Sequence, residues 1–167
     1  PMNAPDLQRA SKNLQQGGVI AYPTEAVWGL GCDPANYTAV KRILSLKNRS
    51  EAEGLILVAA GLDQLAALLA TLSASQMARI ESSWPGPTTW LMPDPDHLFP
   101  SWIKGQHQTI AIRVSAHPIV HALCLSFGGP IVSTSANRAG EVEIRSRAVL
   151  EAQFTDGIDY IVAGELG

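Results

Sequence analysis

Cysteine is nearly absent. Cys32 and Cys124 are the only two in 167 residues, far apart and without a CxxC partner. This argues against a disulfide framework or a zinc site; buried structural thiols and a reducing cytoplasm are expected. Charge is also sparse, with 16% charged residues against 46% apolar and a net charge of -3. Such a chain is globular rather than disordered, and as a whole it is no polyanion binder. Contact with nucleic acid would need a local basic patch. No apolar run is long enough to span a membrane, and the first residues show no signal-peptide pattern. Walker A and GxGxxG are missing, so a nucleotide would need a different loop set. GxSxG is missing too, and none of His97, His107, His117 and His121 stands beside a serine. His117 and His121 share a helical spacing, but no carboxylate at matching spacing completes a metal site, and no metal ligand is assigned.

What is present is a run of apolar segments for one domain, long enough to bury a real core. Helices are expected over 6–16 and 37–46, around the stripe Leu65, Leu68, Leu69 and Leu72, after the capping box of Ser73 and Gln76, from Pro118 to Gly128, and over 146–152. Strands are expected over 19–22, 55–58, 89–92, 109–114, from Pro130, and over 158–162. Residues 23–33 read as a strand end followed by a loop with two glycines, 84–88 as a rigid turn, and 93–105 as a long irregular loop with three prolines. A hairpin-like pair should surround that loop. The fold class is α/β, with a mixed, twisted sheet.

The polar residues cluster where apolar elements end. Ser133-Thr134-Ser135-Ala136-Asn137 follows the run Pro130-Ile131-Val132 and offers hydroxyls and an amide in place of core side chains. Thr24-Glu25, Lys47 with Arg49, and Arg113 are placed similarly, and Arg145 lies in a loop after Asn137. Such groups can converge at one edge of an α/β sheet. Cations, hydroxyls and loop glycines together suit a phosphorylated ligand or a carboxylate. Plainer roles stand beside each: turn or cap hydroxyls for the 133–137 stretch and Thr24, a local ion pair for Glu25, a solvated helix end for Lys47 and Arg49. Arg113 is harder to dismiss, because a charge on an apolar strand needs a partner. The four tryptophans could stack a base but are more often core.

Five motifs stand in order: Pro23-Thr24-Glu25 with Gly29-Leu30-Gly31, Lys47-x-Arg49, Trp84-Pro85-Gly86-Pro87-Thr88-Thr89, Ala111-Ile112-Arg113-Val114, and Ser133 to Asn137. Together they resemble the YrdC/TsaC family of threonylcarbamoyl-AMP synthases. The Lys-x-Arg and Ser-x-Asn pairs are its best-known signature, here Lys47, Arg49, Ser135 and Asn137. The resemblance implies one YrdC-like domain over 1–167, with a twisted sheet flanked by helices around a concave positive cavity. It implies a cytoplasmic nucleotidyltransferase that converts L-threonine, bicarbonate or CO2, and ATP to threonylcarbamoyl-AMP and pyrophosphate. ATP would be a substrate, and Mg2+ would arrive with its phosphates. The product would feed a TsaD/TsaB/TsaE-type complex that modifies an adenosine beside the anticodon of tRNAs reading codons that begin with A.

By motif position the resemblance implies catalytic roles for Lys47 and Arg49, with Lys47 supplying positive charge toward phosphates. Thr24, Arg113 and Ser135 would bind threonine; Arg49, Ser133, Asn137 and Arg145 would bind the nucleotide. Carbamate formation and attack on the α-phosphorus need placement and charge neutralisation more than a covalent nucleophile. Two departures stand out. Ser50-Glu51-Ala52-Glu53-Gly54 replaces a Pro and a Lys that often follow the Lys-x-Arg pair, which puts a phosphate contact there in doubt. The sequence stops at Gly164-Glu165-Leu166-Gly167, where the resemblance implies a further Pro-Ser or Ser-Thr segment that helps close the ligand site.

Two other classes compete. One is a non-catalytic binder of tRNA or other RNA, using Lys41, Arg42, Lys47, Arg49, Arg138, Arg145 and Arg147. The other is an accessory domain of a larger carbamoyltransferase.

Overall fold

The first helix starts at a cap. In the computed structural model, which describes residues 2–166, Asn3 accepts a hydrogen bond from the Asp6 amide at 2.8 Å and opens α1, Ala4–Gln15. Strands β1 (Ile20–Pro23) and β2 (Trp28–Cys32) follow, then α2 (Tyr37–Lys47) and β3 (Ile56–Ala59). Two short helices, α3 (Ala66–Leu69) and α4 (Ala74–Ser83), precede β4 (Trp90–Pro93). Next come α5 (Ser101–Lys104), β5 (Thr109–Val114), α6 (Pro118–Phe127), β6 (Ile131–Ser135), α7 (Arg147–Gln153) and β7 (Tyr160–Ile161).

The strands form one sheet in the order β4-β5-β3-β6-β2-β1-β7. The β3–β5 and β1–β7 pairs are parallel and the rest antiparallel, so the sheet is mixed as expected. The hairpin-like pair around the proline-rich loop is β4 and β5, with Trp90 opposite Ile112. The Ser73/Gln76 capping box opens α4.

Two expectations need correction. Residues 28–32 are not loop: β2 lies inside the sheet, between β1 and β6. Glycine weakens a strand signal, but here Gly29 and Gly31 leave room for the ring of Tyr22, which a Cβ on either would meet at 3.0 Å. Residues 93–105 are not wholly irregular either. They contain α5, where Ile103 is buried and Lys104 forms an ion pair with Asp94 at 2.9 Å.

One face of the sheet is packed by α2 and its neighbours, with Leu30, Val40, Ile43, Leu57, Ile112 and Val132 buried there. On the other face α1 and α6 bury Ile20, Tyr22, Val58 and Ile131 against Leu14 and Leu123. Each such side chain contributes roughly 1.5–3 kcal/mol. Alternate residues share a strand face, so Ser133 and Ser135 continue the face of Ile131, and Arg113, paired in register with Val58, joins them. This polar end borders a cavity to which neither α1 nor α6 contributes a lining residue. Cys32 and Cys124 are both free and buried in separate core clusters, and burial pushes both thiols up to about 12.

Candidate functional site

The polar end of that face is the wall of a cavity of about 730 Å³, lined among others by Thr24, Arg49, Arg113, Ser133, Thr134 and Ser135. Five of the eight residues singled out by sequence thus meet in one place: Thr24, Arg49, Arg113, Ser133 and Ser135. They come from the β1–β2 turn, the end of α2, β5 and β6.

Thr24 holds its own turn, donating from its hydroxyl to the Val27 carbonyl at 2.6 Å. The turn role and the cavity role therefore coexist in one side chain. Arg49 is half-buried and oriented from behind, with Nε and Nη2 donating to the Gly54 carbonyl at 3.2 and 2.9 Å. Its Nη1 stays 3.9 Å from Glu53, a loose pair on an exposed edge. Arg113 differs. Its Nε is buried without a hydrogen-bond partner, and it forms no ion pair among the described residues. A guanidinium left this way is suited to an incoming anion.

Lys47 is not a solvated helix end. It is buried and donates to the carbonyls of Ser135 at 2.5 Å and Asn137 at 3.0 Å. Burial, then the neighbouring Arg49, lowers its pKa from 10.5 to about 8, while Glu143 pulls the other way. Ser135 Oγ donates to Asn137 Oδ1 at 2.6 Å, and Asn137 Nδ2 donates to the carbonyls of Arg138 and Glu141. Lys47, Ser135 and Asn137 thus form one knot at the end of β6, with only Ser135 lining the cavity. Arg145 is exposed on the loop before α7 and does not line the cavity.

Of the remaining candidates Glu25 also lines the cavity; it is exposed and makes no ion pair among the described residues. Trp28 and Trp84 are core, and no tryptophan lines the cavity. His117 caps α6, its Nδ1 accepting from the Ile119 amide, while His121 faces the Ala60 carbonyl. Among the described residues no group of His, Cys, Asp and Glu is arranged for a metal. The cations of the RNA-binding reading are engaged locally: Arg42 with Asp159 at 2.8 Å, Arg147 with Glu151 at 2.8 Å, Arg138 with the Gln153 carbonyl. Sequence reasoning missed Tyr22, whose hydroxyl bonds to Ser133; the available signal was Gly29-Leu30-Gly31, two glycines spaced two apart on the strand that follows the one carrying Tyr22.

Comparison with known proteins settles the relationship. The Sua5/YciO/YrdC family model, described as telomere recombination, matches residues 12–167. The chain belongs to that family. It is 52% identical over 161 residues to a protein of Halorhodospira halophila named threonylcarbamoyl-AMP synthase, covering 96% of this chain and 84% of that one. A structure of P. abyssi Sua5 complexed with L-threonine superposes with a TM-score of 0.85 at 32% identity, over 96% of this chain. The chain spans about half of that Sua5, 47% of its length. E. coli YciO shares the fold, with a TM-score of 0.85 at 24% identity over 100% of this chain and 82% of that one. The sequence resemblance to YrdC/TsaC proteins and the mixed α/β sheet are both borne out in this family. No described helix is long and apolar enough to cross a membrane.

Proposed function

We propose that this Sua5/YciO/YrdC-family chain makes L-threonylcarbamoyl-AMP and pyrophosphate from L-threonine, bicarbonate or CO2, and ATP. The observation that carries the reading is one cavity that gathers Arg49, Arg113 and a row of hydroxyls, in which the Arg113 guanidinium has no protein anion. The family's named synthases and the threonine complex of Sua5 support it.

The unprotonated amine of threonine adds to CO2, giving a carbamate and releasing a proton. A carbamate oxygen then attacks the α-phosphorus of ATP, and the bond to pyrophosphate breaks. Arg113 forks onto the threonine carboxylate, while the Thr24 and Ser135 hydroxyl oxygens, whose own hydrogens go to Val27 and Asn137, accept from the polar hydrogens of threonine. Arg49, clamped by Gly54, points its free edge at the phosphates, beside Ser133. Lys47 adds positive charge from beneath and holds Ser135 and Asn137 in place. Asn137 and Arg145 are assigned to the nucleotide by motif position. Mg2+ would arrive bound to the phosphates of ATP and would supply charge neutralisation there, since Glu25 is the one carboxylate among the lining residues. The work suits a cytoplasmic enzyme whose product passes to a TsaD/TsaB/TsaE-type complex.

The test is pyrophosphate release from ATP by this chain, with and without L-threonine and bicarbonate. Release that requires both is expected. Release indifferent to threonine, or none at all, would overturn the reading. Salt-dependent RNA binding lost in Lys47→Ala, without pyrophosphate release, would put the RNA-binding reading in its place.

A further inference from the structure

Tyr22 has no role in the reading above, yet it is the largest fully buried side chain among the described residues. It stands on β1, and Ser133 stands on β6, with β2 between them. Neighbouring strands lie about 4.8 Å apart, so a side chain linking the two must cross the whole of β2. The register sets Gly29 opposite Tyr22 and Gly31 opposite Ser133. A Cβ on Gly29 would come within 3.0 Å of Tyr22 Cε2, and one on Gly31 within 3.0 Å of Cε1. The two glycines are the floor over which the ring passes, and at its far end the phenol forms a short hydrogen bond with Ser133 Oγ.

A phenol has one proton to give. The other candidate acceptor is the Leu30 carbonyl at 3.4 Å, a marginal distance. Burial holds the hydroxyl protonated, far above the ordinary phenol range. The phenol is also the stronger acid of the pair, so it donates at the short contact. Ser133 has no other side-chain partner among the described residues, and it lines the cavity.

We propose that Tyr22 is a positioning residue: its phenol donates to Ser133 Oγ and so turns the Ser133 hydroxyl hydrogen into the cavity, toward an anionic oxygen of the substrate. The identity of that substrate rests on the synthase reading; the hydroxyl relay does not. Without the phenol, the Ser133 hydrogen is free to rotate away from the ligand. The anionic oxygen belongs either to a threonine-derived carboxylate or to a phosphate, and kinetics separates the two.

Four proteins make the test: wild type, Tyr22→Phe, Ser133→Ala and the double variant. Tyr22→Phe keeps the ring over Gly29 and Gly31. It is expected to raise KM for one substrate about tenfold, the worth of one ordinary hydrogen bond, with KM for the other unchanged. A rise for L-threonine assigns the oxygen to the amino acid side, and a rise for ATP to phosphate. The double variant should be no worse than Ser133→Ala alone, because both changes remove the same directed hydrogen. Unchanged KM values in Tyr22→Phe, or effects that multiply in the double variant, would overturn the proposal. Thermal unfolding of the same four proteins reads the couple without turnover. Strictly additive shifts would overturn the relay even if the wild type releases no pyrophosphate, an outcome that would by itself sink only the synthase reading.

Discussion

Lys47 Nζ donates to the main-chain carbonyl of Ser135 at 2.5 Å, across 88 residues of sequence. The same ammonium reaches the Asn137 carbonyl at 3.0 Å and the Asn137 side-chain oxygen at 3.4 Å. Three acceptors match the three N–H bonds of a charged lysine. The last residue of α2 therefore fixes the turn after β6, where the cavity's hydroxyls are displayed.

That knot has a pH signature. The folded lysine titrates near 8, and the unfolded one near 10.5. Between those values the unfolded chain holds more protons, so stability contributed by this group rises with pH across that window. Activity should move the other way, because a neutral amine has one donor fewer for the same acceptors. The ratio of wild-type to Lys47→Met activity is expected to fall as pH passes about 8, a comparison in which titration of the threonine amine cancels. The thermal midpoint of Lys47→Met should lack the wild-type rise. A constant activity ratio from pH 7 to 10 would sink this account.

Arg113 makes a second prediction with opposed effects. Its buried Nε has no partner, so the free protein bears a desolvation cost that a ligand anion relieves. Arg113→Met should leave the thermal midpoint unchanged or raise it. The same change should weaken L-threonine binding by calorimetry about tenfold or more, as expected for a charge-assisted contact. A variant that loses stability while keeping threonine affinity would show that the arginine serves the fold.

Gly54 links a distant loop to Arg49. Its φ is +74°, and a Cβ would lie 2.9 Å from the Lys104 carbonyl, while its own carbonyl anchors Arg49. Gly54→Ala is expected to cost about 1–3 kcal/mol for the left-handed backbone, more with the clash. It should also raise KM for ATP, because the anchor of the guanidinium moves. Intact stability and KM together would refute both parts.

The sequence carried the architecture where the apolar pattern was regular, as in Ile110, Ala111 and Ile112 of β5 and on the Leu7, Ala10 and Leu14 face of α1, and it carried the site where short polar motifs ended such segments. It misread β2, because glycine lowers strand signal and the reason for Gly29 and Gly31 lies on another strand, in the ring of Tyr22. It placed Lys47 correctly in the chain yet not in depth: the carbonyls that bury it come from 88 and 90 residues away. The helical turn of α5 was hidden among prolines for a similar reason, since Asp94, ten residues before Lys104, supplies the charge that lets the lysine be buried there.

That last pair yields a prediction about stability alone. The Asp94 side chain is fully buried, 2.9 Å from Lys104, and also accepts from the amides of Leu98 and Phe99. Burial pushes its carboxyl up, but Lys104 and the two amides more than offset this and hold it below the usual range. A depressed carboxylate contributes stability above its unfolded pKa of 3.8 and loses it as pH falls through the folded value. Asp94→Asn removes that contribution and leaves Lys104 charged, buried and unpaired, which costs about 3–5 kcal/mol. Asp94→Asn with Lys104→Met removes both charges and should recover much of the loss. Chemical denaturation at pH 7 measures the two variants. At acid pH the gap between wild type and Asp94→Asn should close, because the wild-type carboxyl is then neutral as well. A gap that persists at the lowest pH at which both remain folded would mean that the amide replacement disturbs the Leu98 and Phe99 contacts, and that the ion pair is not what holds the 93–105 segment.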